Sequence, residues 1–395
     1  MTDDLSKNSC SKLALPIGRI KVLKFLYFIL IVLGVLVLII GGTYLYVKKD
    51  INKTSVNKTL TTNQDAVEAS NSEIVKSVID WLDGERDERG MYWFSQKCLI
   101  DEPNNCQKKE KSSYSGIAVM WGMNKYYLET KDQNILNTIK NDINNYDDRK
   151  KNPSIGTNKF GCKLLMEIKV NNDLTEIDKK KLDSICIKIE YPDSIDYKKY
   201  NKRTDEIKLS LNKKIKTILD SDTDNFNYSS DQYTDLIKNV NLNEHANYTS
   251  EYIYRNKLIL SEEYTRKSYL IFDIILDLYL IDPTILNRDE LACKIGRSAL
   301  DLNQLEENKN YSELAKKIFN WYSNKNSLDC AMLASNLYKE TNDKKFLNYK
   351  NNYLTSLKDS EIENSWENGF ITRLNENDFE RGIYENGLIV GLLSE

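Results

Sequence analysis

Residues 127–143, YLETKDQNILNTIKNDI, and residues 338–354, YKETNDKKFLNYKNNYL, are one segment written twice. Aligned without a gap, seven of 17 positions are identical: Tyr127/Tyr338, Glu129/Glu340, Thr130/Thr341, Asp132/Asp343, Leu136/Leu347, Asn137/Asn348 and Asn141/Asn352. The physical unit is a helix ending in Tyr-x-Glu-Thr, a one-residue turn, and an Asp that caps the next helix. That is an αα-hairpin. An Asn-rich chain inflates the identity, but the Tyr, Thr, Asp and Leu matches do not depend on it.

Working outward, helical periodicity dominates. Ile74, Val75, Val78, Ile79 and Leu82 recur at helical spacing, and Gly84 interrupts them. A loop runs from there to about Ser112. A helix over about 113–129 and one starting at Asp132 follow. Ile207, Leu211, Ile215 and Ile218 mark an amphipathic stripe inside the more polar stretch 190–250, which reads as an insertion. Helices are predicted over 261–281, 284–302, 307–324, 327–340 and 343–357. No stretch alternates convincingly with period two, and only five prolines and 15 glycines interrupt 395 residues. The predicted fold class is therefore all-α over 71–395. A second echo joins the ends: Gly90-Met91 and Ser115-Gly116-Ile117-Ala118-Val119 against Gly369-Phe370 and Asn386-Gly387-Leu388-Ile389-Val390. Repeated hairpins bury their faces only against neighbours, which implies a solenoid or a closed ring.

The N-terminus reads differently. Residues 25–47, FLYFILIVLGVLVLIIGGTYLYV, are 23 residues without a charge. As a helix they span roughly 34 Å, enough to cross a lipid bilayer. Residues 1–24 form a short cytoplasmic tail on this reading, and polar 48–70 a flexible stalk. The flanking lysines nearly balance, so charge barely decides orientation. Cys98, Cys106, Cys162, Cys186, Cys293 and Cys330 follow the span. The most local of fifteen connectivities pairs neighbours, and disulfides would place 71–395 outside the cytoplasm; six buried thiols are the alternative.

The hairpin pattern of 72–146 and 261–395 resembles the (α/α) toroids, the six-hairpin glycosidase-like proteins, whereas 147–260 matches poorly. The resemblance implies a ring of inner and outer helices joined by short "Thr-x-Asp" turns. No motif of one enzyme family is present, so no catalytic residue carries over. TPR-like solenoids are the rival, without the 34-residue period they need.

Chemistry is narrowed mainly by exclusion. The net charge is −3, and residues 1–24 contribute +3 (five cations, two acids), leaving about −6 beyond them. That acidic surface argues against nucleic acid as a partner. The one histidine, His245, lies in Asn-Glu-His-Ala-Asn, a surface context, and leaves little room for Ser-His-Asp triads or zinc sites. No phosphate loop or dinucleotide fingerprint occurs, so no cofactor and no metal is expected. Paired carboxylates remain. Glycoside hydrolysis needs one protonated acid and one ionised base or nucleophile. Asp87 and Glu88 in one loop, and Glu376 and Asp378 in another, are the catalytic candidates. Tyr92, Trp93 and Trp366 beside them are candidate glycan contacts. Two functions stay open: a surface module binding a glycan or protein, or a glycan hydrolase or lyase.

Overall fold

Lys131 and Asn342, the single residues between the repeated Thr and Asp, both adopt left-handed backbone conformations, with φ of 59° and 55°. Their N–H groups donate to the carbonyls of Tyr127 and Tyr338 at 2.7 and 2.8 Å. Thr130 and Thr341 each donate their hydroxyl one turn back, to Tyr126 and Leu337. Asp132 and Asp343 then accept from the N–H two residues on, at 2.9 and 3.0 Å. The repeated Tyr, Thr and Asp thus each have a hydrogen-bonding task in the turn.

The computed structural model describes residues 71–100, 102–109, 113–148, 161–189, 199–224, 242–281, 288–358, 369–374 and 378–395, with a few between 226 and 233. The expected tail (1–24), span (25–47) and stalk (48–70) lie outside them. Among the described residues no helix is long and apolar enough to cross a membrane.

In chain order the elements are α1 (Asn71–Gly84), β1 (Ser95–Leu99), β2 (Glu102–Lys108), α2 (Ser113–Thr130), α3 (Gln133–Asp147), α4 (Cys162–Lys169), α5 (Glu176–Lys188), α6 (Thr204–Asp220) and α7 (Leu242–Ile259). There follow α8 (Glu262–Ile281), α9 (Arg288–Asn303), α10 (Lys309–Tyr322), α11 (Leu328–Thr341), α12 (Lys344–Lys358), β3 (Arg373–Leu374), β4 (Asp378–Gly382) and α13 (Ile383–Leu393). Six inner helices pack in sequence: α2 on α4, α4 on α7, α7 on α9, α9 on α11, α11 on α13, and α13 back on α2. The ring is closed. Helices α3, α5, α8, α10 and α12 flank it, and α1 packs on α13. Hairpins α4/α5 and α7/α8 carry the ring through 147–260, where the sequence pattern fits poorly. Only α6 is extra. It docks on α8 through its Ile207, Leu211, Ile215 and Ile218 stripe and through buried Lys214, which reaches Asp273 at 2.7 Å and Asp277 at 3.1 Å.

Glycines permit the closest approach, where α13 meets α2. A Cβ at Gly387 would sit 2.6 Å from the Ala118 carbonyl carbon, and one at Gly122 would sit 2.2 Å from the Gly387 oxygen. No side chain fits between these backbones.

The ring is helical as expected, but its loops add strands that an all-helical reading lacks. Four strands form an antiparallel sheet in the order β2-β1-β4-β3, within what reads as loop. Two physical reasons hide it. Strand β4 is buried on both faces and so does not alternate. Strands β1 and β4 lie far apart in the chain and pair only because the ring closes, with Ser95 opposite Gly382 and Leu99 opposite Asp378. Cys98 faces Cys106 across β1 and β2. The structure joins Cys98–Cys106, Cys162–Cys186 and Cys293–Cys330 as disulfides.

Candidate functional site

Three connections from outer to inner helices are long, 85–112, 148–161 and 359–382, while 282–287 and 323–327 are short. Every connection from inner to outer is short: 131–132, 170–175, 260–261, 304–308 and 342–343. Long loops on a rigid scaffold are where function concentrates, which directs attention to the N-terminal mouth of the inner ring.

The two loops singled out in the sequence do meet there, through the β1–β4 pairing. Two of their carboxylates, Asp87 and Asp378, are engaged within the protein. Asp87 accepts from the N–H groups of Arg89 and Met91, both at 2.9 Å, and from the Arg89 guanidinium, so it shapes its own loop around Gly90. Glu88 is exposed. Asp378 pairs with Lys97 at 2.8 Å across the sheet. Tyr92 is fully buried, which removes it as a glycan contact. Its ring lies under the Arg86 guanidinium at 4.3 Å, and its hydroxyl donates to Asp142, which Arg86 also grips with two nitrogens. This cluster fastens the loop to α3. Burial pushes the Tyr92 hydroxyl and the Asp142 carboxyl up, although Arg86 opposes both. Trp93 is half-buried. Trp366 and Glu376 lie outside the described residues. His245 is a further correction: it is 2% exposed and packs edge-on to Tyr248, because α7 is an inner helix.

Sequence reasoning missed the ring axis. A small polar chamber there is lined from four inner helices, by Gly161 and Lys163 (α4), Ser250 and Glu251 (α7), Arg297 (α9) and Tyr384 (α13). Glu251 is 4% exposed, and its carboxylate accepts from the N–H groups of Gly161, Cys162 and Lys163 at 3.1, 2.6 and 3.5 Å, capping α4 from outside. Arg297 bonds Asp329, in the first turn of α11, at 3.0 Å. Its Nε–H is buried without a hydrogen-bond partner. Tyr384 is half-buried, and burial pushes its hydroxyl above the usual tyrosine range, against the pull of Arg297. Asp329, Glu385 and Glu251 act on the same hydroxyl. Deeper in, Lys163 bonds both Asp301 oxygens at 2.9 Å, and Ser250 donates to Asp301 at 2.5 Å.

A signal for this axis exists in the sequence. Asn247, Ser250, Glu251 and Tyr254 fall at i, i+3, i+4 and i+7, as do Arg297, Asp301 and Gln304 at i, i+4 and i+7. Each is a polar stripe on a helix whose other faces are buried.

No protein-family model and no curated protein matches the chain. Solved structures do. The chain is similar to an unsaturated glucuronyl hydrolase specific for heparin, at 11% identity and a TM-score of 0.52, covering 82% of this chain and 95% of that one. It also matches a cellobiose 2-epimerase from Bacillus thermoamylovorans, at 11% identity, a TM-score of 0.46, and 82% and 98% coverage. The fold is that of the (α/α) toroid, glycosidase-like proteins. Fold alone assigns no activity.

Proposed function

We propose that this chain is a glycan-active enzyme, a hydrolase or lyase, whose substrate enters the N-terminal mouth of the toroid and reacts at the axis. The observation that carries this reading is the buried Arg297 Nε–H without a partner, beside Tyr384 and the carboxylates of Glu251, Asp329 and Glu385. A buried donor left unpaired costs about 1–3 kcal/mol, which an acceptor on a ligand recovers. A uronic acid carboxylate is the acceptor best matched to a guanidinium. The glucuronyl hydrolase of the same fold, whose described specificity is for heparin, supports an acidic sugar.

In this reading Arg297 holds the uronate and Tyr384, kept protonated by burial, donates to the departing oxygen. A carboxylate of the cluster serves as base, toward water in hydrolysis or toward the sugar C–H in elimination. The axial site replaces the loop carboxylates as the catalytic proposal, and Trp93 stays a candidate contact at the mouth. The chain is anchored in this account by 25–47 with 71–395 outside the cytoplasm. Support comes from the 23 uncharged residues and from the pairing of six cysteines.

A second reading, a glycan-binding toroid without turnover, draws on one observation. Glu251 is committed to three backbone N–H groups, and Asp329 to Arg297 and Lys294. Incubating the chain with heparin, hyaluronan, alginate and pectin fragments separates the two. Hydrolysis gives new reducing ends alone, and elimination adds ultraviolet absorbance from an unsaturated product. Turnover should fall at least a hundredfold in Tyr384→Phe. Saturable binding without product from any fragment would establish the second reading.

A further inference from the structure

The opposite mouth of the ring holds a larger space. At the C-terminal ends of the inner helices a cavity of about 690 Å³ opens between α2, α4, α7, α9 and α11. That lies within the roughly 300–1,000 Å³ typical of small-molecule sites. The axial chamber, at about 20 Å³, is far smaller, and the two share only Lys163.

The lining specifies the ligand. Three cations, Lys125, Lys163 and Lys339, stand against three acids, Glu167, Asp301 and Glu340. Each is already answered within the protein. Lys163 bonds Asp301 at 2.9 Å, Lys125 and Lys339 bond Glu395 at 3.0 and 2.6 Å, Lys125 also lies 3.5 Å from Glu167, and Glu340 accepts from Ser312 at 2.5 Å. With Glu395 counted, three cations face four acids, one net negative charge, so the wall disfavours an acidic sugar. Asn336 and Gln304 bring amides that both donate and accept, which suits vicinal hydroxyls. Between them the wall presents apolar side chains, with Leu128 41% and Val170 76% exposed. Apolar side chains at that exposure can cover the C–H faces of a sugar ring.

The geometry points to a second carbohydrate site at the C-terminal mouth, one that takes a short neutral oligosaccharide. It differs from the axial site in face, size and charge. It adjoins the axial chamber at Lys163, and it gives the molecule a grip on glycan at both ends of the ring.

Isothermal titration of the full chain in detergent with maltotriose, cellotriose and chitotriose tests this. At least one of these neutral probes should bind saturably. Val170→Phe, which narrows the opening from an exposed position, and Asn336→Leu, which removes the amide, should each weaken it at least tenfold. Val170→Phe alone decides the matter if Asn336→Leu fails to fold. Binding by none of the probes overturns the proposal. So does equal binding by the wild type and Val170→Phe, or tighter binding of a glucuronate trisaccharide that Val170→Phe abolishes.

Discussion

Gly387 lies backbone to backbone against Ala118, where a Cβ would come within 2.6 Å of the Ala118 carbonyl carbon and of the Val119 nitrogen. The last inner helix and the first meet at that contact, so the ring depends on a hydrogen atom where other residues carry a side chain. Gly387→Ala should destabilise 69–395 by about 1–3 kcal/mol, the usual result of overpacking a close contact. Thermal unfolding followed by circular dichroism reads it, as a midpoint lower by several degrees. Gly84→Ala is the control: a Cβ there meets nothing within 4 Å.

The axis contains a second vulnerable contact. Lys163 and Asp301 are 10% and 2% exposed and bonded through both carboxylate oxygens. Removing one partner strands the other charge, so Lys163→Met should cost about 3–5 kcal/mol. The double variant Lys163→Met, Asp301→Leu should recover much of that loss in urea unfolding. A double variant as unstable as the single one would mean that Asp301 acts mainly through Ser250 and Tyr254.

Acid should act through Glu395. Its side chain is 10% exposed and bonded to Lys339 and Ser335, both at 2.6 Å, and to Lys125 at 3.0 Å. Burial pushes the carboxyl up, but Lys339 and Lys125 outweigh it and hold it at about 2. An unfolded glutamate titrates near about 4.3. The folded state therefore binds fewer protons across that window. Stabilisation of about 2–3 kcal/mol is complete above about pH 4.3 and disappears as the pH falls through about 2. Glu395→Gln should flatten the dependence of unfolding free energy on pH between these limits.

Thiol chemistry tests the placement outside the cytoplasm. Alkylation of the unreduced, denatured chain followed by mass spectrometry should label Cys10 and leave the other six cysteines bridged as Cys98–Cys106, Cys162–Cys186 and Cys293–Cys330. Reduction should lower stability by about 2–4 kcal/mol for each bridge lost. Six alkylated thiols in protein from its native compartment would contradict the placement.

Much of the ring is legible in the sequence because its information is local. The repeat 127–143/338–354 contains the complete turn, and Ile74 to Leu82 or Ile207 to Ile218 show their buried faces by spacing alone. Two things are not local. Strand β4 meets β1 only on ring closure, and its Phe379 and Glu380 are both buried, so periodicity has nothing to show. The axis is hidden for a related reason. In most helices a polar stripe such as Asn247, Ser250, Glu251 faces water, and only a closed ring turns it inward. His245 was misplaced by the same logic, its polar neighbours suggesting a surface that α7 does not have. Asp87, conspicuous in sequence, holds its own loop, and Asp378 pairs with Lys97 across the sheet.

The central claim is that a glycan binds at the axis, between Tyr384 and Arg297. A crystal structure of the chain with a uronate-containing oligosaccharide tests it most directly. The sugar carboxylate should lie on the Arg297 guanidinium, with a glycosidic oxygen within hydrogen-bond reach of the Tyr384 hydroxyl. A sugar seated instead on the outer face of the β1–β4 sheet, with the axis untouched, would contradict it.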